Sequence, residues 1–99
     1  MTEDWLRKKI FFSIAGALLG SVTPNLRGVA ADWDNEKIRI VCYFRGPFSN
    51  EDKETMSIVE TEVASDVLDI MPVELETVRL DMPAKVNGMK AWVFERKET

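Results

Sequence analysis

Carboxylates are the most abundant chemically active side chains, because the 99 residues include 17 Asp and Glu, one cysteine and no histidine. Without histidine, the chain lacks the commonest general base at neutral pH and the usual ligand of transition metals. Cys42 has no histidine or second cysteine to activate it, so we interpret it as a small core residue. We predict that the protein is not an enzyme. An enzyme that uses carboxylates and Tyr43 alone is the disfavoured alternative.

Two closely spaced pairs of acids raise the question of a divalent cation: Asp32 with Asp34, and Glu60 with Glu62. Residues two apart on a helix point in different directions, so the second pair does not converge. Asp32 and Asp34 flank a turn that lacks the glycine and terminal glutamate of a calcium loop. The glycines show no phosphate-binding spacing. We therefore predict no metal site and no cofactor.

The acids are concentrated in residues 49–69, which contain seven acidic residues and a single base, Lys53. This segment has a net charge of −6, whereas the whole chain has −4. At about 100° per residue, most of its exposed acids fall in one sector of a helix, around one aliphatic side chain. The members of this predicted acidic sector are Glu51, Glu54, Ile58, Glu62, Asp66 and Asp69. Like charges at helical spacing weaken a helix slightly, so a functional patch and a merely solvated face are equally open.

The elements that carry these residues can be read from apolar spacing and from capping residues. A first helix is expected from Thr2, as N-cap, to about Leu19. Its core stripe leaves a second apolar stripe, Trp5, Phe12, Ala15 and Leu19. We expect this stripe to pack under a loop, with contact between molecules as the alternative. The acidic helix is expected to begin with a capping box at Ser49 and to stop before Pro72.

Alternating residues predict four strands. Residues 26–33 and 37–45 form an expected hairpin around a turn at 34–36, and residues 73–80 and 89–96 form a second pair, linked through Pro83 and Asn87-Gly88. Trp92 and Phe94 are expected on one side of the last strand. The order α-β-β-α-β-β predicts a single α+β domain over residues 1–99. It has a four-stranded, mainly antiparallel sheet with both helices on one face.

The cellular compartment of the chain can also be predicted from the sequence. The apolar run from Ile10 to Val22 is too short to span a bilayer, and its resemblance to a signal peptide is the disfavoured interpretation. A lone cysteine fits a reducing compartment. We therefore predict a cytoplasmic protein that does not enter a membrane.

The expected partner of the acidic sector is a positively charged protein, because the phosphates of a nucleic acid would be repelled. A nuclease suits this surface, since its substrate-binding cleft is cationic. We add the hairpin turn, with Asp32, Trp33 and Asp34, to the predicted interface. Trp33 and Ile58 are the expected anchors, with Phe48 and Tyr43 behind them. Core packing of Trp33 and Tyr43 stays an open alternative.

Four segments of the chain resemble a group of small bacterial α+β proteins, some of which are immunity proteins of contact-dependent growth inhibition systems. These segments are LLGSVTPNLR (18–27), IRIVCYFRG (38–46), VRLDMP (78–83) and WVFERKE (92–98). The resemblance implies a cytoplasmic inhibitor that binds one cognate toxin domain, with a nuclease as the favoured toxin. The alternative is a homo-oligomeric module that pairs through Trp5, Phe12 and Leu19.

Overall fold

A computed structural model describes residues 2–47, 49–79 and 89–95. Their elements follow the predicted order α-β-β-α-β-β, which is confirmed. The helices are α1 (Glu3–Leu18) and α2 (Asn50–Asp66), and the strands are β1 (Leu26–Trp33), β2 (Ile38–Phe44), β3 (Val73–Arg79) and β4 (Ala91–Glu95). The predicted bounds of β1 are reproduced, and the other elements begin or end within a few residues of the predicted positions.

Both helices begin where the capping residues predict. The Thr2 hydroxyl accepts a hydrogen bond of 3.1 Å from the Trp5 amide. At the start of α2, the Ser49 hydroxyl accepts from the Asp52 amide at 3.1 Å, and the Asp52 carboxylate accepts from the Ser49 amide at 3.0 Å. This reciprocal pair satisfies amide groups that the first turn of a helix leaves unbonded.

The sheet has the strand order β3-β2-β1-β4. β1 pairs with β2 and with β4 in the antiparallel sense, whereas β2 pairs with β3 in the parallel sense. The mainly antiparallel sheet is thus confirmed, but the expected hairpin of β3 and β4 is wrong, since these strands lie at opposite edges. The reason is the crossover through α2, which returns the chain to the start of β2 and sets β3 parallel to it. The predicted connection through Pro83 and Asn87-Gly88 lies outside the described residues.

Both helices pack on one face of the sheet, as predicted. Buried side chains of α1, α2 and the two central strands form one cluster there, and Ile10, Ile14, Val59, Val63 and Phe44 are fully buried in it. A smaller cluster of Ala30, Val41 and Tyr43 lies apart from the first, on the other side of the sheet. Because the apolar stripes of both helices are used against the sheet, their remaining faces point outward.

The side chains of Trp92 and Phe94 lie on opposite faces of the sheet, so the prediction that they share a side is wrong. A register shift in the pairing of β1 with β4 sets Phe94 opposite Val29 but Trp92 opposite Ala30. Phe94 therefore packs against the main core, whereas the Trp92 ring stacks on Tyr43 with ring centroids 5.7 Å apart. An irregularity of this kind breaks the period of two on which the prediction depended.

Candidate partner-binding surface

The two helices lie side by side and run in opposite directions. Glu3, at the start of α1, is bonded to Trp33 at the end of β1, so α1 starts near that end of the sheet. α2 follows the end of β2, which pairs with the beginning of β1, so α2 starts at the opposite end. Between the helices, the Lys9 ammonium group lies 3.5 Å from the Asp66 carboxylate. The Ser13 hydroxyl and the Lys9 ammonium group lower the pKa of Asp66. Asp66 thus marks the flank of α2 that borders α1.

Every member of the predicted acidic sector is exposed, and all lie on α2 except Asp69, which lies in the turn after the helix ends at Asp66. Glu51, Glu54, Glu62, Asp66 and Asp69 are exposed. Ile58, with 55% of its surface exposed, lies among them. Glu54 and Glu62 lie one turn on either side of this exposed aliphatic side chain, so the surface combines negative charge with an apolar contact point.

Two acids of the same segment have structural positions instead. Asp52 is buried, with 6% of its surface exposed, and belongs to the capping box. Glu60 accepts a hydrogen bond of 2.7 Å from the Leu75 amide of β3. The net charge of the segment therefore overstates the charge available to a partner. The five exposed acids of the sector carry that charge.

Trp33 lies in the core and not on the predicted interface, because only 4% of its surface is exposed. Its indole nitrogen donates a hydrogen bond of 2.9 Å to the Glu3 carboxylate. The Arg7 guanidinium and the Lys90 ammonium group lie 5.4 Å and 5.1 Å from the centre of its ring. These contacts fix the start of α1 on the sheet. Core packing, the alternative that the sequence left open for Trp33, is the position that the structure shows. We therefore leave Trp33 out of the proposed surface.

The hairpin turn that follows Trp33 is held by Asp34. Its carboxylate accepts hydrogen bonds from the Glu36 amide at 2.7 Å and the Lys37 amide at 3.0 Å. These two bonds lower the pKa of Asp34. Asp32 is half-buried. The turn lies at the same end of the sheet as the C-terminus of α2, because Ile38, which follows the turn, pairs with Val73, the first residue of β3. The carboxylate of Asp34 is used in hydrogen bonds within the turn.

Tyr43 and Cys42 are both buried, so neither offers an accessible reactive group. Burial raises the pKa of Tyr43, and it raises the pKa of the Cys42 thiol to about 12. A thiol of that pKa is protonated at neutral pH and is a poor nucleophile. The prediction of Cys42 as a core residue is confirmed. Phe48 lies outside the described residues.

The second apolar stripe of α1 is exposed, so the expectation that it packs under a loop is wrong. Trp5 is 48% exposed, Phe12 69% and Leu19 83%. The core stripe of α1 occupies the opposite side of the helix, which leaves this stripe nothing to cover on its own sheet. The sequence contained the signal, since the three residues recur every seventh position, or about two helical turns.

An open groove of about 370 Å³ lies between α1 and β4, and Phe12 of the stripe forms part of its lining. Its lining combines aromatic rings with cations: Arg7, Lys8, Phe11, Phe12, Lys90, Ala91 and Trp92. The cations already have partners. Arg7 donates to the carbonyl of Lys90, Lys8 lies 3.1 Å from Asp4, and Lys90 lies 3.7 Å from Glu3. The groove therefore provides no concentrated positive charge for an anion.

Within the described ranges, no group of three Asp, Glu, Cys or His residues is placed to hold a metal ion. In the same part of the chain, no helix combines the length and the apolar character needed to cross a membrane. The features that remain are the exposed surfaces of the two helices. Fold and surface together define a small α+β protein with a mixed sheet and an acidic helical face.

Comparison with known protein families gives this class a more specific assignment. Residues 7–98 match the MafI2 immunity protein family, and the chain belongs to that family. The match begins within α1 and includes the other five elements of the fold in full. A search of curated proteins found none that matches the chain. The resemblance to toxin immunity proteins is thus confirmed, and the family is MafI2.

Proposed function

We propose that this protein binds a cognate toxin domain through the acidic sector of α2 and neutralises it without catalysis in the cytoplasm of the producing cell. The observation that carries the proposal is the concentration of exposed charge on one helix of a MafI2 immunity protein. Five carboxylates and the Ile58 side chain are exposed in this sector. Such a surface is complementary to a cationic one and accelerates the encounter with it.

The favoured toxin is a nuclease, because an enzyme that binds a polyanion has a cationic cleft. Carboxylates spaced along a helix offer that cleft a row of negative charges, as a phosphate backbone does. Binding would then compete with the nucleic acid substrate. The chain itself is a poor ligand of nucleic acid, since its net charge is −4.

The test first establishes whether the reading frame directly upstream encodes a secreted protein, and then measures association with the C-terminal domain of that protein. The variant is Glu62→Lys, and the matched control is Glu74→Lys, an exposed acid of β3 whose reversal changes the net charge equally. Glu74 lies 2.9 Å from Lys37 in an exposed pair, so its loss costs little stability. We expect Glu62→Lys to slow association about 10-fold at low salt, and Glu74→Lys about twofold or less.

Raising the salt concentration should reduce the difference between the two variants, because ions screen exposed charges beyond about 8 Å at physiological ionic strength. Equal association rates for Glu62→Lys and Glu74→Lys at low salt would contradict the acidic-sector mechanism. A nuclease assay of the same domain, with and without the immunity protein, tests the favoured activity separately.

A further inference from the structure

We infer that the exposed stripe of α1 and the acidic sector of α2 form one continuous interface, in which Trp5, Phe12 and Leu19 supply the anchors that bind the toxin. This inference rests on the proposed function and names the residues that give it affinity. The occupant is a protein surface with an apolar cleft bordered by Lys or Arg side chains.

The contact between Lys9 and Asp66 sets how the exposed stripe of α1 (Trp5, Phe12 and Leu19, called the row below) lies beside the acidic sector of α2. Trp5 and Phe12 lie one turn before and after Lys9 on α1, Glu62 lies one turn before Asp66 on α2, and Asp69 lies in the turn that follows the end of α2. Because the helices run in opposite directions, Trp5 lies toward Asp69 and Phe12 toward Glu62. The apolar row is thus bordered on the side of α2 by Lys9, paired with Asp66, and beyond it by the carboxylates of α2. On the other side, Phe12 lines the groove that contains Arg7, Lys8 and Lys90, whose charges already have partners.

Exposure and residue type make the row of α1 suitable for anchoring. Phe12 and Leu19 expose 69% and 83% of their surfaces, more than Ile58 at 55%. Aromatic side chains are over-represented among the residues that dominate binding energy, and they act best when polar residues around them exclude water. The carboxylates of α2 provide such a border on one side.

The adjoining charge decides between possible occupants. A second copy of this chain presents the same acidic sector and the same net charge of −4, so two copies that meet across this face bring like charges together. An anionic membrane surface is repelled by the same carboxylates. A cationic protein gains from both rows, because its apolar residues cover the aromatic rings while its basic residues meet the acids.

The experiment compares Trp5→Ala and Phe12→Ala with Leu68→Ala, which removes an even more exposed aliphatic side chain (77%) that is not part of the row or of the acidic sector. The probe is the same upstream-encoded toxin domain, and Kd is measured at low and high salt. Each row variant should weaken binding about 30-fold at both salt concentrations, as expected for an anchor. Leu68→Ala should change Kd about twofold or less.

Unfolding curves for all three variants should be similar, because each removes an exposed side chain. Unchanged affinity in both row variants would overturn the inference. If Glu62→Lys still slowed association, the proposed function would survive that result. If Trp5→Ala and Phe12→Ala lost affinity while Glu62→Lys had no effect, the result would support Trp5 and Phe12 as anchors and contradict the acidic-sector mechanism.

Sedimentation of the protein alone at micromolar concentration tests whether a second copy of this chain covers the row. A monomer is expected. A stable dimer that Phe12→Asp dissociates would overturn the inference, because the row would then be covered by a second copy.

Discussion

The Glu60 carboxylate accepts a hydrogen bond of 2.7 Å from the Leu75 amide, which joins the middle of α2 to the edge strand β3. Two residues further along, Glu62 is exposed on the flank that borders α1. Acids two positions apart on one helix therefore have different roles, one in the fold and one on the surface. This difference follows from helical geometry, since residues two apart point in different directions.

Replacing Glu60 with Ala should destabilise the protein by about 1–2 kcal/mol, because the Leu75 amide loses a charged acceptor in a partly buried setting. The matched change Glu62→Ala should alter the free energy of unfolding by less than about 0.5 kcal/mol. Urea unfolding followed by circular dichroism measures both. Equal stability of the two variants would show that the bond contributes nothing measurable.

The Glu60→Ala variant should also self-associate more readily than Glu62→Ala. Without the carboxylate, β3 presents an unbonded amide at the edge of the sheet, and such edges template further strand pairing. Light scattering during storage at high concentration tests this expectation. Glu60→Gln retains an acceptor and should behave more like the wild type.

Trp33→Ala should destabilise the protein by about 3–5 kcal/mol, because it removes a large buried ring from the core. Trp33→Phe keeps most of the ring volume but loses the bond to Glu3, so a cost of about 1 kcal/mol is expected. Thermal unfolding compares the two. For the folded Trp33→Phe variant, affinity for the toxin domain should match that of the wild type, and a loss of about 30-fold would restore Trp33 as a binding anchor.

The local signals of this sequence predict elements better than they predict how the elements pair. Thr2 and Ser49 mark helix starts through their capping side chains, and the structure follows them, whereas α2 ends at Asp66, several residues before the expected stop at Pro72. The parallel pairing of β3 with β2 depends on where α2 returns the chain, which no local pattern encodes. The irregular pairing near Ala30 likewise cannot be read from alternation.

The residues of the candidate surface also differ in how well the sequence predicts their positions. The acidic sector was predictable because helical spacing alone sets which residues share a flank. The exposure of Trp5, Phe12 and Leu19 was contained in the same kind of spacing, because their stripe lies opposite the core stripe of α1, but the expectation that a loop covers the stripe was wrong. For Trp33 the sequence left both positions open, because a tryptophan beside a turn has the same pattern whether its ring faces the core or the solvent, and the structure places it in the core.

Gly28→Ala should weaken the stack of Trp92 on Tyr43. A Cβ atom at position 28 would lie 2.9 Å from the Trp92 ring and 3.3 Å from the carbonyl oxygen of Phe94, so the ring must move. We expect destabilisation of about 1 kcal/mol and a changed tryptophan fluorescence spectrum. The matched change Gly16→Ala adds a methyl group with nothing within 4 Å and should stabilise α1 by about 0.5–1 kcal/mol. Opposite signs for the two glycine changes are the expected result.

The contribution of Asp34 to stability should depend on pH. The amides of Glu36 and Lys37 lower the pKa of its carboxyl in the folded protein. A lowered pKa means that the unfolded chain binds the proton more readily. The stabilisation is therefore present above the ordinary Asp pKa of about 3.9 and is lost as the pH falls through the folded value. Asp34→Ala should accordingly lower Tm at pH 7 and have a smaller effect at acid pH.

Asp34→Asn separates charge from geometry in the same turn. Its amide oxygen can still accept from the Glu36 and Lys37 amides, so it should retain part of the stability lost in Asp34→Ala, without the dependence on pH. Differential scanning calorimetry of the wild type and both variants between pH 3 and pH 7 provides the comparison. A Tm difference between the wild type and Asp34→Ala that stayed constant over this range would contradict the assignment of the pH dependence to this carboxyl. Unchanged affinity of Asp34→Asn for the toxin domain would place Asp34 in the fold and outside the interface.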